Sequence, residues 1–124
     1  DSRVAEDGRI PSTCKDSMVI TVVKMNHQLA KTVQMTLEEL KDSAARLDQA
    51  IVDPDTRELL LHSALESLHD VETFLLPQAL KANPATAAMW LDAADFQLRS
   101  ANKTLIHTHD LIAKYGPNLR VVGG

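Results

Sequence analysis

The residues best suited to chemistry lie near the middle of the chain, where Glu58, His62, Glu66 and His69 follow one another at spacings of four, four and three. On an α-helix this spacing projects all four side chains from one face. Two imidazoles with a carboxylate suit zinc or iron, and the last pair forms the Glu-x-x-His unit of di-iron bundles. That site needs a second such unit, which the sequence lacks. A solvated polar face is therefore the simpler interpretation.

His27 offers a second kind of chemistry. Lys24 precedes it and Lys31 follows it, so the stretch resembles that of histidine phosphotransfer domains, which are four-helix bundles of about this size. Those domains place a Lys and a Gly shortly after an exposed His, where the cation balances the phosphoryl charge. Ala30 and Lys31 do not reproduce the Lys-Gly order. A phosphotransfer bundle using His27 and a metal-binding bundle are the alternative functions that the residues leave open.

The other reactive side chains give weaker patterns. His107 and His109 would lie about 200° apart on a helix, so their own helix cannot bring them to one metal. Cys14 is the only cysteine, which excludes an intrachain disulfide, and no base lies near it in sequence. We predict no catalytic residue, no metal ligand and no cofactor.

Composition narrows the class of protein. The 124 residues carry a net charge of −4 with no basic stripe, which disfavours nucleic acid. Four glycines and 3% aromatic residues argue against a β-sandwich or barrel. The longest apolar run, from Met18 to Val23, is too short to cross a bilayer, so we predict no membrane span. An all-helical soluble domain remains.

Helical periodicity defines three segments. Residues 16–52, 54–82 and 84–115 are each predicted to be helical, because apolar residues recur at steps of three and four. Asp53-Pro54 and Asn83-Pro84 supply a capping side chain followed by proline at the start of the second and third helices. Pro77 should kink or end the second helix, and Gly116-Pro117 should end the third.

The predicted core follows from the same periodicity. In the first helix its positions are Met18, Val22, Met25, Leu29, Val33, Leu37, Leu40, Ala44, Leu47 and Ile51. In the second they are Leu60, Ala64, Leu68, Val71 and Leu75, flanked by Leu61, Leu65 and Phe74. In the third they are Ala87, Leu91, Ala94, Leu98, Ala101, Leu105 and Ile112.

Short connections force neighbouring helices to run in opposite directions. We therefore predict a single domain over residues 1–124, an antiparallel up-and-down bundle of three long helices that resembles a four-helix bundle. Residues 1–15 are predicted to form an irregular arm and residues 116–124 a mobile tail. A fourth helix from a partner or from a second copy would cover the core better, so a homodimer is a further expectation.

Several short segments resemble the plant invertase and pectin methylesterase inhibitor family. Ile10-Pro11-Ser12-Thr13-Cys14 resembles the family's Pro-Ser-x-Cys, and Asp53-Pro54 resembles the Asp-Pro that opens its central helix. The run from Ala64 to Val71 is similar to Cys-Leu-Glu-Leu-Tyr-Asp-Asp-Ala. Trp90-Leu91-Asp92-Ala93-Ala94 is similar to Trp-Leu-Ser-Ala-Ala.

The resemblance also implies two lost cysteines. In the family, a cysteine of the central helix is bridged to one that follows Trp-Leu-Ser-Ala-Ala, and these positions fall on Ala64 and Ala101. The partner of Cys14 is missing too, as is most of the family's final helix. Loss of a native bridge typically costs about 2 to 5 kcal/mol of stability.

The resemblance implies a secreted, non-enzymatic protein that inhibits a cell-wall carbohydrate enzyme. The absence of the Pro-Lys-Phe motif of invertase inhibitors favours pectin methylesterase as the target. Asn102-Lys103-Thr104 is an N-glycosylation sequon, which matters only in a secreted protein. The predicted partner-binding surface is the polar side of the second helix, formed by Glu58, His62, Glu66, His69 and Asp70.

Overall fold

The fold was obtained as a computed structural model, which describes the backbone of residues 12–120 and the side chains of residues 18–120. Helix α1 spans Ser12–Ala50, α2 spans Pro54–Asp70 and α4 spans Pro84–Tyr115. Between α2 and α4 lie a π-helical turn, Val71–Leu75, and the short helix α3, Leu76–Lys81. Within residues 12–120 there is no strand, which confirms the all-helical prediction.

Residues 12–120 form three long helical segments, because α2, the π-helical turn and α3 follow one another without a break. Helices α1, α2 and α4 each pack against the other two. They enclose one core of leucines, small aliphatic residues and alanines: Val33, Leu37, Leu40, Ala44, Leu47, Ile51, Leu61, Ala64, Leu68, Val71, Leu76, Ala79, Leu91, Ala94, Leu98, Ala101 and Leu105. None of the helices of residues 12–120 is long and apolar enough to cross a membrane.

Helix α1 differs from its prediction at both ends. It begins at Ser12, so the predicted arm is wrong for residues 12–15, while residues 1–11 lie outside the described part of the chain. It ends at Ala50, two residues early. Pro54 restricts the residue before it to extended backbone, and Asp53 accordingly has φ −75° and ψ 120°.

The link between α1 and α2 is held by polar contacts. The Arg57 guanidinium donates hydrogen bonds to the carbonyls of Ile51 and Val52, at 3.2 and 3.3 Å. The Asp53 carboxylate accepts hydrogen bonds from the backbone N–H and the hydroxyl of Thr56, at 3.0 and 2.7 Å. These hydrogen bonds lower the pKa of Asp53, because they stabilise the charged carboxylate.

The lowered pKa of Asp53 predicts a contribution to acid unfolding. Because the folded-state pKa lies below the unfolded one, ionised Asp53 stabilises the fold above the unfolded pKa, and this stability is lost as pH falls through the folded pKa. We expect Asp53→Asn to be less stable than the parent chain at pH 7. The difference should shrink below about pH 4, close to the ordinary pKa of an aspartate. Urea unfolding at several pH values measures it, and a difference constant across that range would contradict the assignment.

The π-helical turn explains why Pro77 does not end the second long helix. Proline has no N–H, and in a regular α-helix its ring would clash with the carbonyl of Thr73. The helical turn here contains one extra residue, so the N–H of Leu76 donates to the carbonyl of Val71, five residues earlier. As a result the core position moves from the predicted Leu75, which is half-buried, to the buried Leu76. The helix ends at Lys81, one residue before the predicted end.

The segment after α4 differs from the predicted mobile tail. Gly116 has φ 86°, a left-handed conformation that favours glycine, and it turns the chain back toward the start of α2. Leu119 is buried, and the N–H of Val52 donates to the carbonyl of Pro117 at 3.0 Å. Residues 121–124 of the predicted tail lie outside the described residues.

Candidate functional site

Three of the predicted partner-binding residues, Glu58, His62 and Glu66, form a row of exposed side chains on α2. The side chain of His62 lies between two carboxylates, with Nδ1 3.0 Å from Glu58 Oε2 and Nε2 3.8 Å from Glu66 Oε2. All three side chains are more than half exposed. Exposed pairs of this kind contribute little stability, so the fold does not depend on these contacts.

His69 and Asp70 continue this face toward the π-helical turn, and both are exposed. His69 borders a groove of about 290 Å³ between α1 and α2, which is also lined by Leu65 and Leu68. Together Glu58, His62, Glu66, His69 and Asp70 are called the α2 polar stripe below. The structure places all five on the exposed side of α2, as the solvated interpretation predicts.

The far wall of this groove is an ion pair between helices. Lys41 Nζ of α1 donates a hydrogen bond to Glu72 Oε2 in the π-helical turn. That hydrogen bond raises the pKa of Lys41, and the charge of Glu38 acts in the same direction. Thr73 donates its hydroxyl to the carbonyl of His69 at 2.7 Å. The pair therefore connects α1 to the π-helical turn at the end of the α2 polar stripe.

The metal-binding alternative gains no support from this geometry. Among the side chains of residues 18–120, no three His, Cys, Asp or Glu residues are placed to hold one metal ion. The side chain of Cys14 lies outside the described residues.

The two alanines at the implied lost-bridge positions are both in the core. Ala64 of α2 is 0% exposed and Ala101 of α4 is 1% exposed. Both belong to the same buried cluster, and their two helices pack against each other.

The start of α1 presents a surface that helical periodicity does not predict. Asn26 Nδ2 donates to the carbonyl of Pro84, the first residue of α4, at 2.7 Å. The part of α1 before Asn26, residues 12–25, therefore continues for about 20 Å past the start of α4 at 1.5 Å per residue. We call it the α1 extension. Its large apolar side chains are 37 to 67% exposed: Met18, Val19, Ile20, Val22, Val23 and Met25.

The α1 extension carries apolar residues on the same face of the helix as the core residues of α1. Met18, Leu29, Leu40 and Ile51 are eleven residues apart, which is close to three helical turns. Along this line the side chains change from 67% exposed at Met18 to half-buried at Leu29 and 1% exposed at Ile51. Periodicity predicted burial for Met18, Val22 and Met25, and this is wrong because the other helices end before reaching them. The predicted helix lengths contain a signal for this exposure. The first predicted helix is longer than the second and the third, so they cannot cover it along its whole length.

A second groove lies at the base of the extension. It holds about 200 Å³ and is lined mainly by small or apolar residues: Val23, Asn26, His27, Ala30, Ala79, Leu80, Ala82, Pro84, Ala87 and Leu91. His27 is exposed at its edge. Exposure is what a phosphotransfer histidine requires, so this alternative function stays open.

Comparison of the chain with known protein families, with curated proteins and with solved structures finds no match.

Proposed function

We propose that this chain is a non-enzymatic helical protein that acts by binding another protein. The observation that carries the proposal is the α1 extension, where six large apolar side chains between Met18 and Met25 are exposed together. Contiguous exposed apolar side chains mark interaction surfaces in soluble proteins. Five consecutive β-branched residues, 19–23, are poor helix formers, so a helix of this composition gains most of its stability from packing.

We further propose an antiparallel up-and-down arrangement of the three long helices. Two hydrogen bonds support it: Asn26 to Pro84 joins the start of α4 to α1, and Val52 to Pro117 joins the segment after α4 to the end of α1. Helices α1 and α4 then run in the same direction, and the intervening helix runs back. Among the described residues 12–120, no other helix then runs beside the extension.

The proposed target is a cell-wall carbohydrate enzyme, pectin methylesterase or invertase, and the proposed location is extracellular. The resemblance in sequence is the basis of this step, and the burial of Ala64 and Ala101 on packed helices supports it. The α2 polar stripe is the proposed contact surface on the enzyme, with its carboxylates directed to cationic groups of the target.

Enzyme capture tests this proposal. We expect the immobilised chain to retain pectin methylesterase and to reduce its activity, and we expect the double variant Glu66→Lys/Asp70→Lys to retain at least tenfold less enzyme. The reason is that like charge across an interface opposes both encounter and binding. The matched control is Asp92→Lys/Asp110→Lys, which makes the same charge change at exposed positions of α4.

Two outcomes would contradict parts of the proposal. If neither pectin methylesterase nor invertase is retained by the parent chain, the proposed target class is wrong. If the α2 and α4 double variants retain enzyme equally well, the α2 polar stripe is not the contact surface.

A further inference from the structure

We propose that Asn102 of α4 is an N-glycosylation site and that its glycan is attached before α4 folds. The donor is an oligosaccharide carried on a lipid diphosphate. This inference rests on the proposed extracellular location, because an N-glycosylation motif is used only in a secreted protein. It adds a covalent modification on a helix separate from the α2 polar stripe.

The motif is complete and occurs once in the chain. Asn102-Lys103-Thr104 supplies the acceptor asparagine, a middle residue other than proline and a hydroxyl residue at the third position. The other three asparagines, Asn26, Asn83 and Asn118, have no Ser or Thr two residues later. A glycan attached through this motif is therefore assigned to one position.

The structure leaves room for a glycan at Asn102. The side chain is exposed, although the preceding Ala101 is buried in the core. Within residues 18–120 the Asn102 side chain makes no hydrogen bond, so attachment breaks no side-chain contact of the fold. Ile106, four residues later and 53% exposed, is its neighbour on the helix surface. A bulky, solubilising glycan on Asn102 would cover this apolar side chain.

The attachment is a group transfer. Asn102 Nδ2 attacks the anomeric carbon of the oligosaccharide and forms a C–N bond, while the bond from that carbon to the diphosphate oxygen breaks. The lipid diphosphate leaves with the electron pair of the broken bond, and the amide gives one proton to a base of the transferring enzyme. No oxidant or reductant takes part, and this chain supplies only the acceptor.

The helix determines when the transfer can occur. The motif needs both Asn102 and Thr104, so one enzyme site must contact both side chains. In α4 they point about 200° apart, because residues i and i+2 of a helix do not face each other. The Thr104 hydroxyl also donates to the carbonyl of Ser100 at 3.4 Å. The acceptor pair is therefore available only while α4 is unfolded.

Expression in a eukaryotic secretory pathway tests the site. A cleavable leader directs the full chain there, and mass spectrometry follows the chain before and after treatment with peptide N-glycosidase. We expect most chains to carry one glycan, whose enzymatic release converts the acceptor asparagine to aspartate. Asn102→Gln and Thr104→Val should carry none, whereas Thr104→Ser should keep the glycan, because it keeps the hydroxyl.

A second acceptor site is the matched control. Arg120→Thr completes the same motif at Asn118, an exposed residue of the turn after Gly116. This variant should carry two glycans, and its combination with Asn102→Gln should carry one. Chains that have lost the leader but are unmodified at Asn102 would overturn the inference. A glycan at Asn118 in the same chains would show that the enzyme and its donor were present.

Detergent-solubilised microsomes test the order of folding and transfer, since they offer enzyme and donor without a membrane barrier. The substrates compared are the folded chain and a peptide of residues 98–108. We expect the folded chain to be modified about tenfold more slowly, because α4 holds the two side chains apart. Equal rates would overturn the proposed timing.

Enzyme capture separates this inference from the proposed function. A chain that is glycosylated at Asn102 but captures neither pectin methylesterase nor invertase would reject only the proposed target. Capture of either enzyme by exported chains that are unmodified at Asn102 would reject only the glycosylation site.

Discussion

Oxidation of a variant carrying Ala64→Cys and Ala101→Cys is expected to join α2 to α4 by a disulfide and to raise the free energy of unfolding by about 4 kcal/mol. The variant is made with Cys14→Ser, so that only the introduced thiols can react. Both alanines are buried in one cluster, on helices that pack against each other. Most of the expected gain comes from the unfolded state, which a covalent link between residues 64 and 101 constrains.

Thiol titration and urea unfolding with and without reductant measure this effect. The matched control is Ala64→Cys with Ala87→Cys, since Ala87 is also buried but lies almost four turns earlier on α4. A disulfide requires Cα atoms about 4.4 to 6.8 Å apart, so the control pair should stay reduced. If the 64/101 pair also keeps two free thiols, the two positions do not correspond to the family's bridge and the resemblance loses its main support.

Replacement of Leu37 by alanine is expected to lower the free energy of unfolding by about 3 to 5 kcal/mol. Leu37 is 0% exposed in the part of α1 that packs into the core. Removing its branched end loses the transfer free energy of the buried atoms and leaves a cavity that the three helices fill only partly. The loss is a large share of the roughly 5 to 15 kcal/mol that stabilises a domain.

The comparison for this variant is Leu59→Ala, which removes the same atoms from a side chain that is 62% exposed. We expect a change within about 0.5 kcal/mol there, as for most surface substitutions. If the m-value of urea unfolding is unchanged, the shift in the urea midpoint gives the change in the free energy of unfolding for each variant. A loss below about 1 kcal/mol at Leu37 would mean that α1 does not pack as described.

Sequence periodicity predicts burial well where a helix has neighbours along its whole length. In α4, the predicted positions from Ala87 to Leu105 are buried. In α2, three successive leucines, residues 59–61, do not indicate which of them faces the core. Leu60 was predicted to be the buried one, but the structure buries Leu61. The π-helical turn then shifted the next core position by one residue, because the ring of Pro77 excludes a regular turn.

The two candidate surfaces were predictable from the sequence to different degrees. Spacing alone placed Glu58, His62 and Glu66 on one face, because those residues share a single helix. It could not show that Met18 is exposed, since an apolar stripe reports that a helix can be covered on one side but not where its neighbours end. The groove beside the extension combines residues from α1, α3 and α4, so its existence depends on how those helices meet.

The turn at Gly116 also determines how the protein can be tethered. The backbone after it returns to the α1–α2 link, where Pro117 contacts Val52 and Arg120 Nη2 lies 3.8 Å from Asp53 Oδ1. Along α1, this link is roughly 50 Å from Met18 at 1.5 Å per residue. An anchor attached after Arg120, whether a bead or a fused protein, therefore holds the molecule by one end and leaves the α1 extension directed away from the support.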